Sequence, residues 1–211
     1  MTAIHPPRPD EVPERRGHHR VRGAKLDLEE SWEVFRQPDG SLVWRVDQKG
    51  IERGREVRRL GHAIVRDGHV ERLQVHQRTP AGLHRQTYTF YDDGALLTDN
   101  RVPGRHVLSL EPDTLVVTPF VSLPLRPRGE GSQPVLWVHV TKQGLLTHAI
   151  AKAIWEDAGQ ESTTGPIPGP CERWHLSDPW GVRHTLWLTA QGLVVRWEHP
   201  DWQATLTGLH E

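Results

Sequence analysis

Tight-turn signals punctuate the chain at short intervals, and alternating apolar runs fill the spaces between them. Pro38-Asp39-Gly40 separates ESWEVFRQ from SLVWRVDQ, Asp67-Gly68 separates LGHAIVR from HVERLQVHQR, and Asp92-Asp93-Gly94 separates HRQTYTFY from ALLTDNRV. Pro112-Asp113, Lys142-Gln143-Gly144 and Ala190-Gln191-Gly192 mark three further boundaries. Such residues supply the left-handed backbone that a hairpin turn needs. These six signals predict about twelve strands, mostly paired with their sequence neighbours. The runs between them have period two. In SLVWRVD, Leu42, Trp44 and Val46 oppose Val43, Arg45 and Asp47; in RHTLWLT, His184, Leu186 and Leu188 oppose Arg183, Thr185 and Trp187. That alternation marks strands with one face buried.

One stretch is ambiguous. LLTHAIAKAIWEDAG places Leu145, Leu146, Ala149, Ile150, Ala153 and Ile154 at helical spacing. No capping residue opens a helix there and its neighbours read as β, so a strand is favoured over residues 145–158. The expected fold is mostly β: a long antiparallel meander curled into a half-barrel or barrel, with room for one helix. A two-sheet sandwich is the alternative, since so long a sheet must curl or split. Residues 1–24 are rich in Pro, Arg and His and read as a disordered tail. Residues 25–211 read as a single domain.

The formal net charge of -1 offers no basic field for nucleic acid, so no nucleic-acid partner is expected. Neighbouring pairs such as Trp44-Arg45 and Arg196-Trp197 face opposite sides of a strand, so they do not build a stacking platform. Arginine far outnumbers lysine, which suits either anion recognition or the codon usage of a GC-rich genome. A single cysteine, Cys171, excludes an intrachain disulfide. The first residues hold no apolar run long enough for a signal peptide, and no stretch approaches a membrane span. A cytoplasmic location is therefore expected, with a homodimer left open.

The familiar catalytic spacings are absent: no G-x-S-x-G elbow, no P-loop, no G-x-G-x-x-G and no H-E-x-x-H. The 14 histidines include no H-x-H pair, and His62, His76, His139, His148, His175 and His184 lie in separate segments. No metal site, cofactor or catalytic residue is assigned. The nine tryptophans stand out more: Trp32, Trp44, Trp137, Trp155, Trp174, Trp180, Trp187, Trp197 and Trp202. Tryptophan fills cores, and it also lines sites for apolar and sugar ligands. Glu30-Ser31-Trp32-Glu33-Val34 and Glu172-Arg173-Trp174-His175-Leu176 form a weak internal echo.

The segment CERWHLSDPWGVRHTLWLTAQGLVVRWEHPDWQATLTG resembles, in strand pattern, bacterial half-barrel domains of the lipoprotein-carrier-like and glycolipid-binding kind. It has a Cys-bearing strand, a strand with Leu-Trp-Leu, a Gln-Gly turn and a strand with Val-Arg-x-Glu. The match covers about the last forty residues, and the rest only as a meander. The resemblance implies a strongly curved antiparallel sheet around an apolar interior, often wrapped on a helix. The carriers are exported, whereas no signal peptide is visible here.

Together these readings favour a non-enzymatic binding protein for a lipid, glycolipid or other amphiphile held within a curved sheet. The candidate ligand-binding residues are Trp32, Trp44, Trp137, Trp155, Trp174, Trp187, Trp197, Arg183 and His184. The C-terminal strands bearing Trp174, Trp187 and Trp197 are expected to form one wall of any pocket. One alternative is a hydrolase or isomerase using Arg183, His184 and Asp178 at the barrel mouth. Another is a structural or oligomerising domain. Whether the concave face is filled or open distinguishes these readings, and alternation alone serves both.

Overall fold

The computed structural model describes residues 3–163, 166–167 and 169–210. The described residues form fifteen strands and no helix. They are β1 (Val12–Gly23), β2 (Leu26–Arg36), β3 (Leu42–Glu52), β4 (Arg55–Arg66) and β5 (His69–Thr79). Then come β6 (Gly82–Tyr91), β7 (Gly94–Asp99), β8 (Val102–Ser109), β9 (Leu115–Val117) and β10 (Gly131–Val140). The last five are β11 (Leu146–Thr163), β12 (Gly169–Ser177), β13 (Arg183–Leu188), β14 (Val194–His199) and β15 (Trp202–His210). All belong to one curved, unclosed sheet in the order β8-β7-β6-β5-β4-β3-β2-β1-β15-β14-β13-β12-β11-β10-β9. Every pairing is antiparallel except β9 with β10.

The hairpins follow local turn chemistry. At the β4–β5 turn, Asp67 and Gly68 take φ of 50° and 83°, the paired left-handed geometry that matches strand twist. Arg53 and Gly54, at 52° and 75°, do the same between β3 and β4. Arginine is no turn signal, which is one reason fifteen strands form where about twelve were expected. Pro112-Asp113 does not close a hairpin: β8 and β9, on either side of it, are the two opposite edges of the sheet. Residues 146–163 form β11, in agreement with the strand reading.

The tail reading requires correction. Residues 12–23 form β1, which pairs with β2 on one side and with β15 on the other. Its few apolar side chains are offset by backbone hydrogen bonding to two neighbours, which composition does not register. Residues 5–11 lie on the outer face of the sheet. Arg45 Nε donates to the His5 carbonyl at 2.9 Å and Nη2 to Glu11 Oε2 at 2.6 Å. The Arg45 and Glu11 side chains are 1% and 2% exposed. Burial alone would raise the Glu11 pKa, but the Arg8 N–H and the Arg45 guanidinium outweigh it and hold the carboxyl low.

The sheet curls until its ends overlap. Val135 and Trp137 of β10 pack with Trp155, Trp174, Leu176 and Trp197, while Leu136 and Val138 pack with Leu73, Val75 and Tyr88. β10 is therefore buried on both faces, inside the curve of β4–β7. The β10–β11 turn is held there by side chains of β5 and β6. Gln77 donates to the Gly144 carbonyl at 2.5 Å, and the Leu146 N–H donates to His84 Nδ1 at 3.2 Å.

Much of the concave face is filled by the crossover from β9 to β10. Phe120, Val121, Leu123 and Leu125 are buried. The buried Glu30 carboxylate accepts the N–H groups of Val121 and Ser122 at 3.1 and 2.7 Å. Gln48 donates to the Pro119 carbonyl at 3.1 Å and to Glu30 at 2.9 Å. An extended segment thus occupies the interior that the half-barrel resemblance assigned to a helix.

Candidate functional site

The plug stops short of one end of the roll, where the β1–β2, β3–β4, β10–β11, β12–β13 and β14–β15 turns gather around a cavity of about 820 Å³. Its aromatic wall comes from β10, β14, β15 and the β12–β13 turn: Trp137, Trp180, Trp197 and Trp202, with His184 and His199 between them. Val21, Leu28 and Val121 add aliphatic surface. The facing side, on β3 and β4, presents Gln48, Glu52 and Arg59.

The aromatic wall is tightly interlocked. Trp137 meets Trp180 edge-on at 5.8 Å, His139 meets Trp180 at 4.8 Å, and His199 stacks on Trp202 at 5.2 Å. His184 lies among Trp137, Trp197 and His199 at 5.7, 5.8 and 5.0 Å. Indole can only donate, so the 3.0 Å contact from Trp197 Nε1 makes His184 Nδ1 an acceptor. His184 Nε2 therefore carries the proton and donates to Asp178 Oδ2 at 3.3 Å. The other Asp178 oxygen accepts the N–H groups of Trp180 and Val182 at 2.9 and 2.8 Å, shaping the turn that presents Trp180. Burial lowers the His184 pKa and nearby His199 adds to that, against the opposing pull of Asp178. The imidazole is neutral, with both nitrogens engaged.

The polar side is equally committed. Arg59 donates to Gln77 and Gln48, each at 2.7 Å, and pairs with Glu52. Burial lowers its pKa, and Glu52 and Glu30 oppose that shift. Its fork is filled by protein acceptors, so it shapes and polarises the wall.

The structure divides the sequence-derived candidates. Trp137, Trp197 and His184 border the cavity. Trp32 and Trp44 lie tilted against each other 5.4 Å apart within the core, and Trp155 and Trp174 pack edge-on at 6.4 Å in the neighbouring cluster; none of the four borders the cavity. Trp187 lies on the other face of the sheet with Cys171 and Val195, its ring under Arg196. Of the wall expected from Trp174, Trp187 and Trp197, only Trp197 faces the space. Arg183 is exposed and pairs with Glu156 at 2.8 Å, so Arg183, His184 and Asp178 do not converge on one reacting point.

Trp180, Trp202 and His199 also line the site. Trp180 sits in a turn and is 54% exposed, so no strand periodicity draws attention to it. Among the described residues no three His, Cys, Asp or Glu side chains gather as metal ligands would. No helix among them is long and apolar enough to cross a membrane.

No protein-family model matches the chain, and no curated protein matches it. Among solved structures it is similar to a β-barrel-like protein of the domain of unknown function DUF1849 from Brucella abortus. The TM-score is 0.56 at 10% identity, covering 94% of this chain and 97% of that one. It is also similar to a DUF1089 family protein from Pseudomonas aeruginosa, with a TM-score of 0.53 at 11% identity over 85% and 92% of the two chains. At such identities the likeness is one of fold: this chain has a β-barrel-like architecture also found in these two bacterial proteins.

Proposed function

We propose that the protein is a non-enzymatic binding protein whose cavity takes an amphiphilic small molecule, with lipids and glycolipids as the ligand classes to examine first. The observation that carries this reading is the two-sided lining of a cavity of about 820 Å³, tryptophan and aliphatic on one side and polar on the other. Ligand pockets commonly span roughly 300–1,000 Å³ and combine apolar walls with a few placed polar groups. Trp137, Trp180, Trp197 and Trp202 offer flat apolar area to a chain or a sugar face. His184 and Arg59, satisfied by their own partners, hold the walls without providing a free acid or base.

The test is native mass spectrometry of the purified protein, with tryptophan emission followed during titration by a panel of lipids and glycolipids. A co-purifying mass or a saturable spectral shift is expected. Trp137→Ala should weaken the shift, whereas Trp187→Phe, on the other face, should not. The absence of any bound mass and any shift across the panel would sink the reading.

A further inference from the structure

We infer that the amphiphile taken by this cavity has an anionic head group, a carboxylate or phosphate, held at the rim by Lys25, Arg53 and Lys142. This assignment rests on the binding reading above and narrows it. The three cations come from three different turns, β1–β2, β3–β4 and β10–β11, and all border the same space. Arg53 Nη1 donates to the Thr141 carbonyl at 2.8 Å, which ties two of those turns together across the mouth and leaves the rest of its fork available. None of the three is ion-paired among the described residues.

The negative groups bordering the cavity are largely committed elsewhere. Glu52 is paired with Arg59. Asp178 accepts two backbone N–H groups and the His184 proton. Asp201 is the remaining carboxylate, against three uncommitted cations. The rim therefore carries a positive excess although the whole chain is formally -1. Below it lies the tryptophan and aliphatic wall, so a head at the rim places an attached chain against Trp137 and Trp197. Ammonium and guanidinium groups on flexible stems suit a carboxylate or phosphate close to solvent.

The experiment uses the full chain and one alkyl length with different heads: dodecanoate, dodecyl phosphate, dodecanol and dodecylamine, with inorganic phosphate as a head lacking a chain. Affinities are read from tryptophan emission and native mass spectrometry. Both chain-bearing anions should bind about tenfold tighter than dodecanol, a ratio that three partly screened charges can supply. That advantage should shrink as salt rises. The variant K25Q/R53Q/K142Q should bring the anions to within about twofold of dodecanol measured on the same variant. The double variant K25Q/K142Q, which keeps the Arg53 tie, should lose part of the advantage. Tighter binding of dodecanoate would point to a fatty acid, and of dodecyl phosphate to a phosphorylated lipid. Inorganic phosphate alone should produce no shift. Equal binding of dodecanol, or preference for dodecylamine, would overturn the head-group assignment and leave the cavity reading standing. Failure of every chain-bearing probe would overturn both.

Discussion

A single residue pairing occurs twice in the roll. Trp32 Nε1 donates to His19 Nδ1 at 3.1 Å, as Trp197 Nε1 does to His184 Nδ1, and each pair spans thirteen residues. In both, the rings lie on adjacent antiparallel strands, β1 with β2 and β13 with β14. Each histidine is held neutral by burial, and each donates its other ring N–H to a fixed acceptor: the Val194 carbonyl for His19, Asp178 for His184. Trp32→Phe removes the donor and leaves a buried imidazole nitrogen unsatisfied, at a cost of about 1–3 kcal/mol in urea unfolding. Acid should expose the same chemistry. Burial first, then nearby His5 and Arg45, brings the His62 pKa from 6.5 down to about 4. The unfolded chain therefore binds more protons than the native one in that interval. Stability should be full above pH 6.5, fall as the pH drops toward about 4, and flatten below it for this group. The urea midpoint of His62→Gln should fall less steeply over that window than that of the parent protein. An identical slope would count against the assignment.

At the scale of the element, the β9–β10 crossover acts as an internal strut. Gly61 on β4 has no side chain because Phe120 occupies the space: a Cβ there would lie 2.6 Å from the Phe120 ring. The ring is 2% exposed and has little room to move. Gly61→Ala should cost about 1–3 kcal/mol by overpacking, and the double variant with Phe120→Leu should recover part of that loss. Additive losses in that cycle would mean that the two positions do not touch. The tight-turn hairpins were legible from their local residues, because Asp-Gly and Gln-Gly demand little beyond their own backbone. The crossover was not, because its apolar residues bury against strands some sixty to ninety positions away, as the contacts of Gly61 with Phe120 and of Glu30 with Val121 illustrate.

The whole molecule is one sheet in which the first strand pairs with the last, so the two halves are joined through β1 and β15. The cores reinforce that union. Leu136 and Val138, from the second half, pack with Leu73 and Tyr88 of the first. Unfolding should therefore be cooperative, with far-ultraviolet circular dichroism and tryptophan emission reporting the same denaturant midpoint. Separate midpoints would mean that the halves unfold independently.

The amino-acid order alone determined the mostly-β class, most hairpin positions and the faces on which the tryptophans alternate, because these follow from period-two patterning and turn residues a few positions apart. It also identified Trp137, Trp197 and His184 as candidates. Alternation says which side of a strand a residue occupies, but not what lies across from it. Tertiary structure decided that residues 12–23 join the sheet, that the crossover fills much of the concave face, and that Trp32, Trp44, Trp155 and Trp174 belong to core while Trp180 and Trp202 border a cavity. Those outcomes depend on how far the sheet curls and where its ends overlap. Curl and overlap arise from packing between distant strands, which no local window of sequence contains.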